Sequence, residues 1–194
     1  MSEPSSFAGL AINETRRVRL RPLRGDDYPE LFALEADPEV LHTWRLRGGV
    51  PADMAAYEHG LWFGVADQRI IEGRQSGAIL GLVQMYNIDF RLGVGWFSVI
   101  SVPSARRSGV VMEGTGLFLL RCFRTWGLRR IYFSALEPNF PQFSSVVGRA
   151  GCSIYGTMRQ RTYLAGSPVD VIYGGVDAEP WLAHYEPILQ RLSG

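Results

Sequence analysis

Residues 98–113, SVISVPSARRSGVVME, contain the pattern that decides how the rest of the chain is interpreted. An apolar strand ends at Pro103, a polar loop with Arg106 and Arg107 follows, and a helix then begins. Such a loop leaves backbone N–H groups at a helix N-terminus, where the helix dipole favours an anion. Gly109 allows close backbone approach, and the arginines can contact phosphate oxygens. The segment predicts a phosphate or diphosphate site; a plain strand-to-helix turn is the alternative.

The segments around this loop alternate between strand-like and helix-like patterns. Hydrophobic periodicity and turn residues predict strands over 17–23, 61–66, 78–86, 94–102, 130–136, 154–164 and 169–176. Helices are predicted over 26–36, 38–44, 52–58, 113–126, 143–150 and 180–192. Hairpin strands that lead into a strand–helix–strand unit indicate an α+β (mixed α/β) fold, with helices on both faces of one sheet.

Length and composition indicate one ordinary globular domain. The chain has 194 residues, of which 46% are hydrophobic and 20% are charged, and its formal net charge is +1. This composition excludes long disordered stretches and offers no excess of basic charge for nucleic acid. We expect residues 1–14 to form a flexible tail and residues 15–194 to form a single domain.

Metal centres and membrane anchoring are not expected. The two cysteines and three histidines are scattered without metal-site spacing. The chain shows no signal-peptide pattern and no apolar run of about 18 residues, so we expect a cytoplasmic protein with no membrane partner. Cys152 could carry an acyl group as a nucleophile, but a cysteine that follows glycine is more typical of a small buried hydrophobe.

The loop resembles a motif of the GNAT acyl-CoA N-acyltransferases. Residues 106–111, RRSGVV, are similar to the family's Q/R-x-x-G-x-G/A pattern, and Glu113 stands where a glutamate often follows. Val111 departs from the pattern, because Gly or Ala is usual there. Further similarity lies at 19–27, 93–96, 126–131, 139–151, 156–173 and 180–192. Together these segments resemble the branch that contains ribosomal-protein N-terminal acetyltransferases, over residues 16–192.

This resemblance implies a GNAT-like fold, a donor and a set of donor-binding residues. The fold has a central, mostly antiparallel sheet in which two parallel strands, here 94–102 and 130–137, splay apart around pantetheine. The donor is acetyl-CoA or another acyl-CoA, with an oxyanion-stabilising N–H near residues 99–101. The cofactor-binding residues are expected to be Val99, Ile100, Ser101, Val102, Arg106, Arg107, Ser108, Gly109, Val110, Val111, Met112 and Asn139.

Candidate catalytic residues follow from the same resemblance. The strand over 93–102 contains no Asp or Glu, so the carboxylate base that many GNAT enzymes use is missing there. Glu137, after the next strand, is one replacement, although an exposed strand-end carboxylate is the alternative reading; Glu35 and Asp89 are weaker candidates. Ser144 and Ser145 are the candidate proton donors to the leaving thiolate, or else cap a helix.

The acceptor is expected to be a primary amine attacked directly in a ternary complex. The lack of an obvious base favours a low-pKa amine, above all a peptide or protein N-terminal α-amine. A small-molecule amine and a non-catalytic acyl-CoA-binding module are the alternatives, and a homodimer through the apolar closing hairpin is left open. The candidate substrate-binding residues are Trp44, Tyr86, Asp89, Tyr163 and Asp170.

Overall fold

The computed structural model describes residues 12–41, 50–106, 108–142 and 147–194. Within these ranges the structure contains seven strands: β1 Val18–Arg21, β2 Val65–Gly73, β3 Ile79–Asp89, β4 Val94–Ser101, β5 Arg130–Leu136, β6 Cys152–Leu164 and β7 Ser167–Asp177. They form one sheet in the order β1-β2-β3-β4-β5-β7-β6. Among these described strands, only β4 and β5 pair in parallel, and the other neighbours are antiparallel. The predicted mixed α/β fold is confirmed.

Five helices flank this sheet in the described part of the chain. They are α1 Tyr28–Ala36, α2 Pro38–Leu41, α3 Met54–Leu61, α4 Val110–Trp126 and α5 Ala178–Ser193. Gly109 caps the N-terminus of helix α4 and Gly127 caps its C-terminus, both in the left-handed region. Among the described helices, none combines the length and the hydropathy that a bilayer crossing requires.

The sheet has a hydrophobic core on each face, as the prediction of helices on both faces requires. Strand residues alternate between the two faces, so Leu82 and Ile100 pack under α1 and α3 while Val83 and Met85 pack under α4 and α5. The α1/α3 face carries the smaller core. β4 therefore lies in the middle of the sheet, between the two hydrophobic cores.

The strand predicted over 61–66 is wrong. Leu61 ends α3, Gly64 adopts a positive φ of 70° in the turn that follows, and β2 runs from Val65 to Gly73. Charged residues within β2 conceal it from a search for apolar alternation. They are accommodated by ion pairs: Glu72 contacts Arg19 and Arg21, and Asp67 contacts Arg69 and Arg121.

Other element boundaries also differ from the prediction. In the predicted helix over 143–150, residues 143–146 lie outside the described part and 147–151 form a turn, with Gly148 and Gly151 at positive φ. A short 3-10 helix, Glu137–Gln142, precedes them. Of the expected tail over 1–14, residues 1–11 lie outside the description. Asn13 accepts a backbone hydrogen bond from Leu20.

Candidate active site

β4 and β5 separate after a short parallel contact, and we call the space between them the strand gap. Their pairing comprises Val94 with Arg130, Gly95 with Ile131 and Trp96 with Tyr132, and it stops there although both strands are described in full. Beyond Trp96, β4 continues beside β3 as far as Ser101, and β5 continues beside β7. The gap therefore opens from residue 97 of β4 onwards.

Alternation of the peptide groups assigns the β4 amides that face this gap. The amide of Val102 donates to Leu80 of β3 at 3.0 Å, whereas the carbonyl of Gly93 accepts from Arg130 of β5 at 3.3 Å. Successive strand residues direct their peptide groups to opposite sides. The amides of Phe97, Val99 and Ser101 consequently face the gap, and those of Ile100 and Val102 face β3.

The loop after β4 ends in an open helix N-terminus. Gly109 is the N-terminal cap of α4 at a φ of 76° and has no side chain of its own to cap the helix, while the Val110 amide donates to Oγ of Ser108 at 3.4 Å. A Cβ added at Gly109 would meet nothing within 4 Å, so the backbone there is accessible. The first N–H groups of a helix have no intrahelical acceptor. This terminus is therefore suited to an anion.

Two side chains beside this terminus are turned into the body of the protein. Val111, which departs from the family motif, is 9% exposed and packs in the core beneath α4. Glu113 is buried and accepts hydrogen bonds from Arg17 and Thr15. Val111 consequently leaves the outer side of the terminus uncovered, and Glu113 joins α4 to the segment before β1.

A cleft with three arginines adjoins the same loop. It has a volume of about 410 Å³, and its lining includes Arg16, Arg17, Arg74, Ser104 and Ser108. Arg17 forms an ion pair with Glu113, and Nη2 of Arg74 lies 3.4 Å from Oε1 of Glu14. Because carboxylates offset the charges of Arg17 and Arg74, Arg16 is the arginine of the described lining whose charge adds to the positive end of α4 at this edge of the sheet.

A second cavity lies on the α1/α3 face, and we call it the acceptor pocket. Its volume is about 390 Å³, and it lies between α3, the turn after α3 and strand β3. Its lining is mostly apolar or aromatic: Pro51, Tyr57, Leu61, Phe63, Val65 and Tyr86, with Gly60, Gly64, Gln84 and Asn87 completing it. Pockets of this size suit small organic molecules.

A row of polar side chains connects the acceptor pocket with the strand gap. Gln68 of β2 pairs in register with Gln84 of β3, which pairs with Ser98 of β4. Nε2 of Gln84 donates to Oγ of Ser98 at 3.0 Å. Gln68 is 1% exposed; its Nε2 donates to the Leu61 carbonyl, while its Oε1 has no partner in the described structure. The pocket wall and the gap are thus one strand spacing apart, about 4.8 Å.

A buried carboxylate lies behind the wall of the pocket. Tyr57, which lines the pocket, donates its hydroxyl to Oε1 of Glu35 at 2.8 Å. Both residues are almost completely buried, at 1% and 0% exposure. Glu35 therefore contacts the pocket through the tyrosine hydroxyl.

The part of the chain that forms this site matches the model of a known protein family. The model of the GNAT acetyltransferase domain matches residues 17–153, from just before β1 to the start of β6. The chain belongs to the GNAT acetyltransferase family. It is accordingly an acyl-CoA-dependent N-acyltransferase, and GNAT acetyltransferases use acetyl-CoA as the acetyl donor. No curated protein sequence matches the chain.

Solved structures share the GNAT fold with this chain. A GCN5-related N-acetyltransferase from Brucella melitensis is 25% identical, with a TM-score of 0.69 over 95% of this chain and 86% of that one. A spermidine N-acetyltransferase from Vibrio cholerae, solved with CoA and spermine, is 17% identical, with a TM-score of 0.70 over 85% and 98%. A probable GNAT acetyltransferase from Chromobacterium violaceum is 22% identical, with a TM-score of 0.66 over 93% and 96%.

These comparisons support the superfamily and not the expected branch. Several of the similar structures are spermidine N-acetyltransferases, and the resemblance to ribosomal-protein N-terminal acetyltransferases receives no support from them. Because those spermidine enzymes are 17% identical to the GNAT chain described here, they establish its fold and leave its acceptor open.

The donor-binding residues that the GNAT motif predicts lie at the gap and at the loop. Val99, Ile100 and Ser101 end β4 and Val102 follows it, but only the Val99 and Ser101 amides of these four face the gap. Ser108 and Gly109 precede α4, and Val110, Val111 and Met112 begin it. Asn139 lies in the 3-10 helix after β5. Arg106 follows the 3-10 turn Pro103–Ala105, whereas Arg107 lies outside the described residues. The open terminus at Gly109 fits the diphosphate of acetyl-CoA.

The predicted catalytic residues are only partly described. Glu137 is exposed and begins the 3-10 helix directly after β5. Ser144 and Ser145 lie outside the described residues. No group of three potential metal-ligating side chains occurs in the described part of the chain.

The predicted acceptor-binding residues do not all come together. Tyr86 lines the acceptor pocket. Asp89 accepts a hydrogen bond from the Leu92 amide in the β3–β4 turn, and Asp170 accepts one from the Gln160 amide within the closing hairpin. Tyr163 is exposed on β6, and Trp44 lies outside the described residues.

Aromatic residues continue across the sheet beside the end of the parallel contact. The ring centroid of Trp96 lies 5.4 Å from that of Tyr132 and 6.3 Å from that of Tyr173. The ring centroids of Tyr155 and Tyr132 are 6.0 Å apart. Burial raises the pKa of Tyr155, although the nearby charge of Arg130 opposes the shift. The phenol of Tyr155 therefore stays protonated at neutral pH.

Sequence reasoning missed most of the acceptor pocket. Tyr57, Phe63 and Gln84 are brought together from α3, the following turn and β3. One signal was available, because Gln84 and Ser98 each interrupt a run of apolar residues in a central strand. A buried polar side chain in such a strand needs a partner, and here the two residues satisfy each other.

Proposed function

We propose that this GNAT enzyme transfers an acetyl group from acetyl-CoA to the primary amine of a small molecule held in the acceptor pocket. The register of Gln84 with Ser98 carries the proposal, because it brings the pocket wall next to the strand gap. The gap and the loop at Gly109 supply a donor site on one side. The pocket supplies a separate place for the amine.

The reaction joins two substrates without a covalent enzyme intermediate. Acetyl-CoA supplies the acetyl group as a thioester. The ammonium form of the amine first releases one proton, and the neutral nitrogen then bonds to the carbonyl carbon as the carbon–sulfur bond breaks. The nitrogen loses a second proton to give the amide, and the leaving sulfur takes up a proton to give the CoA thiol. The protein must therefore orient the amine and stabilise negative charge on the thioester oxygen.

The strand gap provides the groups for that stabilisation. The amides of Phe97, Val99 and Ser101 face it, and their positions are fixed by the β3–β4 ladder. One oriented N–H donor of this kind contributes about 3–4 kcal/mol to lowering the barrier. Backbone amides perform this task whatever side chains the strand carries.

The proton from the amine requires an acceptor, for which Glu137 remains our candidate. It is exposed at the end of β5, on the opposite side of the gap from Ser98. Ser144 and Ser145 remain the candidates for protonating the thiolate, on the family resemblance alone. Glu35, bonded to Tyr57, is the second candidate for the base.

The small-molecule acceptor is preferred over a peptide terminus because of the shape of the site. The acceptor pocket is a half-open cavity of about 390 Å³ with walls from α3 and β3, and this volume suits a small molecule. A peptide acceptor needs in addition an extended groove for the residues that follow its first one. The N-terminal α-amine therefore becomes the second candidate.

Release of the CoA thiol from acetyl-CoA tests the proposal. We expect release that depends on a small primary amine, with mass spectrometry showing the acetylated amine. The comparison includes a short peptide with an N-terminal alanine. Peptide acetylation that exceeds acetylation of every small amine would contradict the proposed acceptor, and binding of acetyl-CoA without release in any reaction would contradict the proposed chemistry.

A further inference from the structure

We infer that the acceptor is a monoamine with an apolar body, and that the acceptor pocket discriminates against diamines and polyamines. The inference rests on the proposed function and adds the chemical class of the amine. It is carried by two features of the pocket: the character of its lining, and the position of the polar row that leads to the strand gap.

The lining favours an apolar body. Tyr57, Leu61, Phe63, Val65 and Tyr86 present ring and aliphatic surfaces to the cavity. Tyr57 and Leu61 are anchored in the core beneath α1 and α3, so this surface is formed before any ligand binds. Apolar groups gain affinity by leaving water for such a surface.

A polar group that could receive the nitrogen lies on the β3 wall of the cavity. Gln84 lines the pocket, and its amide contacts Ser98 beside the strand gap. Gln68, next to it in register, does not line the pocket, and its buried Oε1 accepts no hydrogen bond within the described structure. An amine placed at this row has hydrogen-bond acceptors nearby and lies towards the thioester.

The described lining of the pocket offers no carboxylate partner for a second ammonium group. Among the described residues, none that lines the cavity is Asp or Glu. Asp53 caps α3 through the Ala56 amide, and Asp89 holds the β3–β4 turn. Glu35 contacts the hydroxyl of Tyr57 from behind the wall. The sequence of residues 42–49, HTWRLRGG, contains no carboxylate either.

The consequence for diamines is physical. A second ammonium group lying against this half-open lining would lose part of its hydration without gaining an opposite charge. The same alkyl chain without the second charge would bind by apolar contact alone. Two amines of equal chain length that differ in this one group therefore measure the effect directly.

Pentylamine and cadaverine are such a pair. We expect kcat/KM for pentylamine to exceed that for cadaverine by about 100-fold, with spermidine as poor as cadaverine. Equal or better turnover of cadaverine or spermidine would overturn the inference and leave the proposed function intact. Failure of every small amine, with acetyl-CoA still bound, would overturn both.

A matched pair of variants locates the effect in the pocket. Phe63 and Phe90 are both exposed, at 84% and 68%, but only Phe63 lines the cavity, so either can be replaced without disturbing the core. We expect Phe63→Asp to shift the pentylamine-to-cadaverine ratio about tenfold towards cadaverine, and Phe90→Asp to leave it unchanged. A ratio that Phe63→Asp does not change, or that Phe90→Asp changes equally, would overturn the assignment of the amine to this pocket.

Discussion

Gln84 and Ser98 face each other across β3 and β4, and Nε2 of Gln84 donates to Oγ of Ser98 at 3.0 Å. Gln84 lines the acceptor pocket, whereas Ser98 lies just beyond the last residue of β4 that pairs with β5. This one hydrogen bond links the two halves of the proposed active site. It holds the wall of the amine pocket at a fixed distance from the strand that faces the thioester.

Removing that bond is expected to impair use of the amine. Ser98→Ala leaves the Gln84 amide without its partner, at a cost of about 1–3 kcal/mol, which corresponds to about a 5- to 150-fold loss in kcat/KM for the amine. The dissociation constant of CoA should change little. Steady-state kinetics with the amine varied, together with calorimetric titration of CoA, measure both quantities.

The control for this prediction is Ser153→Ala, on the exposed edge strand β6. It removes a hydroxyl of the same size away from the pocket and should leave the kinetics unchanged. In the double variant Gln84→Leu with Ser98→Ala, the loss in kcat/KM, expressed as a free energy, should be smaller than the sum of the losses in the two single variants. The reason is that the two residues act as a pair. Full additivity would argue against the link.

Gly109 supplies a prediction for the donor site. Gly109→Glu places a negative charge on the open terminus of α4, where the diphosphate is expected. The new carboxylate then competes with the diphosphate for the helix terminus and repels it, so CoA affinity should fall by about 100-fold or more. Calorimetric titration measures the dissociation constant.

Gly109→Gln is the matched control, because it adds the same bulk and the same strain at positive φ without the charge. Its CoA affinity should fall less than that of Gly109→Glu, and the difference between them isolates the electrostatic part. Equal affinities in the two variants would show that charge at this terminus is not what recognises the donor.

Arg21 supplies a prediction for stability. It is the last residue of β1, is buried, and contacts both Asp27, which precedes α1, and Glu72 of β2. Arg21→Met leaves two buried carboxylates without this partner and should lower the free energy of unfolding by about 3–5 kcal/mol. Arg124→Met removes the arginine of an exposed pair with Glu186 and should cost about 1 kcal/mol or less. Urea denaturation of both variants measures the contrast.

The same cluster gives stability a defined dependence on pH. Burial acts to raise the pKa values of Asp27 and Glu72, but hydrogen bonds and charge from Arg21 and its neighbours outweigh it and hold both below their usual values. Carboxylates with lowered pKa stabilise the fold above their unfolded pKa of about 4, and the contribution is lost as pH falls through the folded values. The stability gap between wild type and Arg21→Met should therefore narrow below about pH 4. A gap that widens on acidification would contradict this account.

Cys152 tests whether the reaction passes through an acyl-enzyme. Burial raises the pKa values of both Cys152 and Cys122, so the native thiols should be protonated and slow to react with iodoacetamide at pH 8. Cys152→Ala should keep kcat within about twofold of wild type, because a direct transfer needs no thiol. A folded but inactive variant, or a trapped acetyl group on Cys152, would contradict direct attack.

The parts of the fold that local chemistry specifies were predictable. β5 is predicted over 130–136 and observed as Arg130–Leu136, since its apolar residues are bounded by Gly127 and Pro138. β2 was missed because Asp67, Arg69 and Glu72 look solvent-exposed in sequence. Their burial depends on arginines distant in the chain, such as Arg121.

The donor half of the site could be predicted from the sequence and the acceptor half could not, for the same reason. Arg106, Gly109 and the start of α4 are contiguous, so their chemistry shows in the sequence as a loop before a helix. The acceptor pocket combines Tyr57 with Gln84, whose proximity depends on how α3 packs over β2 and β3. Val111 could not be interpreted from sequence either, because only packing shows that its side chain faces the core.

A crystal structure of the chain with CoA tests the central claim most directly. We predict pantetheine in the strand gap, bonded to the amides of Val99 and Ser101, with the diphosphate on the terminus at Gly109 and the sulfur towards Ser98. CoA bound elsewhere, with β4 and β5 paired beyond Trp96 and the Gly109 terminus empty, would contradict the account.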